Sequence, residues 1–115
     1  MDPSRYITVS GNVSLNASWL AGPYKSVNSK IKIVPSVGER GGVFMVSFGG
    51  LFQNPPAVVV SQVWGGTGPP GNTRDNAVVM DITPDWFTVA TGDDNGVTIP
   101  RNFSFIASGY MSKDA

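Results

Sequence analysis

Residues 76–91 read NAVVMDITPDWFTVAT, and this stretch decides the fold class. Residues 76–82 and 86–91 are rich in β-branched and aromatic side chains, which favour strands. The segment Thr83-Pro84-Asp85 between them has the composition of a turn. Two strand-like runs joined in this way are typical of an antiparallel β-hairpin. The rest of the chain should therefore supply further strands for this hairpin to pack against.

The same kind of pattern recurs on both sides of this hairpin. Further strand-like runs, alternating or rich in β-branched and aromatic residues, lie at residues 6–10, 13–19, 30–34, 43–48, 57–60 and 102–108. No segment has a convincing helical period, and 14 Gly and 9 Pro supply many turns. We predict an all-β protein, an antiparallel β-sandwich of six to eight short strands that forms a single domain over residues 1–115.

Three turn and burial signals give local predictions. Gly11-Asn12 is a turn dipeptide that either closes a hairpin between the first two runs or marks a bulge in one long strand, and we favour the hairpin. Asn95-Gly96 indicates a type I′ turn, because both residues tolerate a positive φ. The apolar residues 57–60 follow a double proline, and we expect them to form a central strand that is buried on both faces.

The aromatic residues are candidates for the core or for an interface. Trp19 and Trp86 lie in strand patterns, as do Phe44, Phe48, Phe103 and Phe105. We expect that the four phenylalanines do not all face one interior, which would leave apolar surface for a partner.

The composition excludes several classes of function. The chain has 8 Lys+Arg and 8 Asp+Glu, so it lacks the basic surplus that binds DNA, RNA or acidic membranes. It has no His and no Cys, which removes the common catalytic triads, the usual zinc sites and disulfides. We find no long apolar run and no signal peptide. We therefore expect that the protein is synthesised in the cytoplasm and does not insert into a membrane. Release by a route that needs no signal peptide, and the final location, stay open.

Three segments in this order resemble the H-type lectin family, which includes snail agglutinins and the C-terminal domains of discoidins. The first is Val46-Ser47-Phe48, then Phe52, then Pro55-Pro56 before the apolar run 57–60. The second is Arg74 followed by the hairpin residues 82–89, and the third is the closing run 103–109. The resemblance covers residues 43–109, with residues 1–30 as an N-terminal strand or hairpin extension.

The resemblance implies a six-stranded antiparallel sandwich that forms a homotrimer and binds glycans between neighbouring protomers. Arg74 matches a family arginine that contacts sugar, and Asp75 follows it. A Trp-His pair of the family falls on Asp94-Asn95 here, and the family's acidic contact falls near Val37, with Glu39 as the nearest carboxylate.

We therefore predict a sugar site built from polar loop residues and one aromatic side chain. Guanidinium, carboxylate and amide groups offer the fixed donors and acceptors that sugar hydroxyls need, and an indole can cover the C–H face of a sugar. The predicted residues are Arg74, Asp75, Asp94, Asn95, Trp64 and Glu39.

Other readings of the acidic residues are weaker. Asp93, Asp94 and Asn95 provide fewer oxygen ligands than the six to eight that calcium prefers, so we expect no cofactor. Asp81 and Asp85 form a carboxylate pair of the kind a glycosidase uses, but we expect them to cap a turn. We predict a lectin without catalytic activity. The rival prediction is a structural or assembly β-sandwich, of the kind found in phage tails, capsids or coats, with no sugar site.

Overall fold

The computed structural model describes residues 5–14, 18–22, 27, 29–35, 41–64 and 76–113. Within these residues the chain forms eight strands. They are β1 (Tyr6–Val13), β2 (Ser18–Ala21), β3 (Lys32–Pro35), β4 (Val43–Ser47), β5 (Ala57–Val63), β6 (Ala77–Ile82), β7 (Trp86–Thr91) and β8 (Asn102–Tyr110).

The strands form two four-stranded sheets in which every neighbouring pair is antiparallel. The first sheet has the order β2-β1-β8-β5, and the second has the order β3-β4-β7-β6. The predicted all-β antiparallel sandwich is therefore confirmed. The hairpin expected at residues 76–91 is β6-β7, and it contains a bulge between Val79 and Asp81.

The core lies between the two sheets and is rich in aromatic rings. Along β4, β7 and β8, buried residues alternate with more exposed ones, so each strand turns one row of side chains inward. Phe44 of the second sheet lies 5.3 Å from Phe103 of the first, and Phe87 lies 5.3 Å from Phe105. These ring pairs join the two sheets across the core.

All four phenylalanines singled out in the sequence face this one interior, so that expectation was wrong. Phe44 and Phe48 are four residues apart and Phe103 and Phe105 are two apart, and even spacings place side chains on the same face of a strand. The exposed apolar surface comes from other residues, mostly Val, Met and Ile side chains together with Tyr6 and Trp64.

Gly11 and Asn12 do not form a turn, which corrects the predicted hairpin. Both lie inside β1, and the pairing of Val13 with Ser18 moves the turn of the β1-β2 hairpin beyond Val13. The glycine is needed for packing, because a Cβ there would lie 2.6 Å from the ring of Phe105.

Residues 57–60 lie in β5, which is an edge strand of the first sheet and not a central one. Its residues alternate between exposed and half-buried, and Val59 is 70% exposed. A continuous apolar run therefore does not indicate burial on both faces here.

The turn between β6 and β7 is capped by Thr83 rather than by the two aspartates. Its hydroxyl oxygen accepts hydrogen bonds from the backbone N–H groups of Asp85 (3.1 Å) and Trp86 (3.0 Å). Asp81 and Asp85 have exposed side chains at this end of the hairpin. Among the described residues, no helix is long and apolar enough to cross a membrane.

Candidate functional site

A surface pocket of about 270 Å³ lies where β7 ends and the following loop begins. Val78 and Ala90, which pair across β6 and β7, belong to its lining. The polar side chains in the lining include Asn76, Asp94 and Thr98. The pocket thus combines aliphatic groups with a carboxylate, an amide and a hydroxyl.

The loop beside this pocket is shaped by Asp93. The carboxylate oxygen Oδ1 of Asp93 accepts hydrogen bonds from the backbone N–H groups of Asn95 (2.9 Å) and Val97 (3.0 Å). The carbonyl of Asp93 accepts a further bond from the N–H of Gly96 (3.2 Å). One carboxylate therefore orders the loop that presents Asp94.

The predicted type I′ turn at Asn95-Gly96 was wrong by one residue. The closing hydrogen bond makes Asp93 the first and Gly96 the last residue of the turn. Gly96 alone has a positive φ, of 80°, whereas a type I′ turn needs a positive φ at both central residues. The side-chain bonds of Asp93 explain the shift, because aspartate readily forms this kind of local turn with the backbone two residues on.

Gln62 fixes the start of the loop from the other sheet. Its amide Nε2 donates to the carbonyl of Gly92 (2.9 Å), and its Oε1 accepts from the N–H of Gly92 (3.1 Å). Gln62 lies in β5 of the first sheet and Gly92 directly follows β7 of the second, so this amide joins the two sheets beside the pocket.

Thr91 holds the same region from inside the core. Its buried hydroxyl donates to the carbonyl of Ile99 (2.7 Å), lies 3.3 Å from the carbonyl oxygen of Gly42, and accepts from the N–H of Arg101 (3.0 Å). One side chain at the end of β7 therefore holds both the segment that follows the loop and the residue that precedes β4.

The structure does not bring all of the predicted sugar-binding residues together in this pocket. Asp94 lines the pocket, whereas Asn95 is exposed at the turn and does not belong to the described lining. Trp64 is 47% exposed and directly follows β5, two residues after Gln62, so it lies at the same end of the sandwich. Arg74, Asp75 and Glu39 lie outside the described residues.

Sequence reasoning missed most of this pocket, including Asn76, Val78 and Thr98. Asn76 and Thr98 are ordinary polar residues in the sequence, and Val78 looked like any strand residue. A usable signal was the alternation in residues 76–79, which places Asn76 and Val78 on the same side of the strand. The nearness of Thr98 depends on the loop returning to β7, and Thr98 forms an isolated bridge with Gly92.

The site shows no arrangement suited to a metal among the described residues. No group of three or more Asp or Glu side chains there is close enough to hold an ion. Asp93 and Asp94 are adjacent, but one oxygen of Asp93 already serves two backbone N–H groups.

The fold and the pocket define the class of this protein as an antiparallel β-sandwich with a small mixed pocket at one end. Comparisons with family models, with curated proteins and with solved structures found no match.

Proposed function

We propose that this protein is a non-catalytic lectin that binds carbohydrate and gains avidity as a homotrimer. The observation that carries this proposal is the pocket formed at the start of β6 and the end of β7. Asp94 and Asn76 supply a carboxylate and an amide beside the aliphatic pair Val78 and Ala90.

The chemistry of this pocket suits a sugar unit. Sugar hydroxyls both donate and accept hydrogen bonds, which a carboxylate acceptor and an amide can match. The C–H groups of the ring need apolar contact, which Val78 and Ala90 offer. A volume of about 270 Å³ is at the small end of ligand pockets and suits one monosaccharide rather than a long chain.

Multivalency gives such a site a useful affinity. On binding, each sugar hydroxyl exchanges hydrogen bonds with water for hydrogen bonds with the protein, so the net gain in binding free energy is small. Linking several sites on one rigid assembly raises avidity by about 10²–10⁴-fold without new contacts. The resemblance to trimeric H-type lectins supports three copies.

The test is a glycan array on the native protein and on two single variants. Asp94→Ala and Arg74→Ala should each lose at least ten-fold in array signal while they remain folded. Asp85→Ala is the matched control, because Asp85 is an exposed carboxylate in the turn at the opposite end of β7. The control variant should keep the wild-type signal.

Several outcomes would contradict the proposal. A glycan array without any signal, obtained with folded native protein, would contradict the proposed lectin function. Unchanged binding by folded Asp94→Ala would remove this pocket from the sugar site, and unchanged binding by Arg74→Ala would remove the arginine. Loss of binding on addition of a chelator would make Asp93 and Asp94 candidates for metal ligands.

The second candidate is a structural or assembly module with no sugar site. The observation in its favour is the apolar surface on both outer faces of the sandwich, where Val34, Val59, Val78, Met80 and Ile106 are each more than two-fifths exposed. A lectin should be stabilised by its sugar in a concentration-dependent way, whereas an assembly module should not respond.

A further inference from the structure

Asn95 and Gly96 form the only asparagine-glycine pair in the chain. The side-chain amide of an asparagine can react with the backbone nitrogen of the next residue, and a glycine there has no side chain to hinder the approach. Both residues are exposed, and Gly96 has a positive φ of 80° with open space where a Cβ would lie. The pair therefore combines a reactive amide with an accessible and unhindered backbone nitrogen.

The other described asparagines are followed by residues that disfavour this reaction. A Cβ lies next to the backbone nitrogen of the following residue in most of them, and a proline nitrogen carries no N–H. The pairs are Asn12-Val13, Asn76-Ala77, Asn102-Phe103 and Asn54-Pro55. Among the described residues, the least hindered asparagine is thus Asn95.

We propose that Asn95 is a deamidation site and that its conversion loosens the loop beside the pocket. The backbone nitrogen of Gly96 attacks Cγ of Asn95, the new N–Cγ bond forms, and the bond from Cγ to Nδ2 breaks. Nδ2 leaves as ammonia and takes up the proton that the nitrogen of Gly96 loses. Water then adds to either carbonyl of the cyclic imide and opens it to aspartate or isoaspartate. The net reaction consumes one water and releases one ammonia, without oxidant or cofactor.

The turn controls how fast this reaction proceeds. The N–H of Gly96 donates to the carbonyl of Asp93 (3.2 Å), so the attacking nitrogen is held in the turn and keeps its proton while this bond is intact. The carboxylate of Asp93 also holds the N–H groups of Asn95 and Val97. Ring closure therefore requires a local opening of the loop, and Asp93 determines how often the loop opens.

The products change the charge and the length of the loop. Conversion of the amide to a carboxylate places a third acidic side chain directly after Asp93 and Asp94 and changes the formal net charge from 0 to −1. In isoaspartate the main chain runs through the side chain, which adds one backbone atom between two N–H groups that now share Oδ1 of Asp93 at 2.9 and 3.0 Å. The longer turn cannot keep both bonds in this geometry. Only the effect on sugar binding rests on the proposed function.

The test is incubation of the folded protein in mildly alkaline buffer, followed by peptide mapping with mass spectrometry. Electron-transfer fragmentation separates aspartate from isoaspartate, and Asn95 should convert first, with isoaspartate as the larger product. Asn76 is the matched control, because it is an exposed asparagine of the same pocket that precedes an alanine. Asn95→Gln should stay unmodified, because the longer side chain closes the ring far more slowly.

Asp93→Ala should raise the rate at Asn95 by about three- to ten-fold while Asn102 in β8 stays unmodified. If Asp93→Ala does not fold, Gln62→Glu gives a second variant, because it weakens the anchor of the loop at Gly92 and should also raise the rate.

Two results would overturn the proposal. The first is conversion of Asn76 before Asn95 in the folded protein. The second is an equal rate at Asn95 in folded and urea-denatured protein, because the turn would then have no control over the reaction. A glycan array without signal, together with conversion at Asn95, would end the lectin proposal and support this one.

Discussion

Thr91 shows how one side chain can control a loop at the residue scale. Its hydroxyl is buried and serves the carbonyl of Ile99 and the N–H of Arg101, two groups on the segment that returns from the loop. A buried polar group that loses its partner keeps the cost of desolvation without the compensating bond. The sequence marks this residue only as one more strand threonine.

Replacing Thr91 by Val should destabilise the protein by about 1–3 kcal/mol, because the shape is kept while the N–H of Arg101 loses an acceptor. Urea unfolding followed by circular dichroism measures the change. Thr88→Val is the control on the same strand, since Thr88 faces outward, and it should shift stability by less than about 0.5 kcal/mol. Equal losses for both variants would show that the hydroxyl of Thr91 has no special role.

At the scale of the element, β5 is an edge strand whose inward side chains still contribute to the site. Val58 and Val60 pack against the core, and Gln62, the next residue with the same orientation, reaches the second sheet at Gly92. A polar residue fits at this position because β5 ends here and the core gives way to the loop. The strand thus supports the pocket without lining it.

Gln62→Glu should loosen the loop more than it destabilises the whole protein. Glutamate has nearly the same shape and can accept from the N–H of Gly92, but when ionised it cannot donate to the carbonyl of Gly92. We expect faster amide hydrogen exchange in residues 92–98, by roughly three- to ten-fold, with the core strands unchanged. Ser61→Ala, on the outward face of β5, is the control, and uniform acceleration throughout the chain would contradict the local role.

At the scale of the whole molecule, aromatic packing makes the two sheets one cooperative unit. Phe87 lies at the centre, with Phe105 of the first sheet at 5.3 Å and Phe48 at 5.7 Å. It is fully buried, so its removal leaves a cavity lined by the other rings.

Phe87→Ala should lower the free energy of unfolding by about 3–5 kcal/mol, a large share of the 5–15 kcal/mol typical of a domain. Circular dichroism and tryptophan fluorescence should report the same urea midpoint, in both wild type and variant, because the sheets unfold together. Val34→Ala removes an exposed aliphatic group from the second sheet and should have little effect. Two separate transitions would show that the sheets are independently stable.

The sequence was sufficient for the fold class and for the hairpin of residues 76–91, because alternation and turn chemistry act between neighbours in the chain. The prediction that Asp94 contacts sugar stays a prediction, and the structure shows that Asp94 lines a pocket. Sequence reasoning failed where the surroundings of a residue are formed by segments that are distant in the chain. Gly11 looked like a turn residue until the ring of Phe105 was seen to need its space, and residues 57–60 looked buried until their strand was placed at an edge.

By itself, then, the sequence determined that this protein is an antiparallel β-sandwich without histidine or cysteine chemistry. The order of strands, the identity of the edges and the union of Asn76, Asp94 and Thr98 in one pocket were decided only by the tertiary structure. The physical reason is that strand periodicity defines two faces for each strand, whereas the choice of neighbouring strands depends on long-range packing of the whole core.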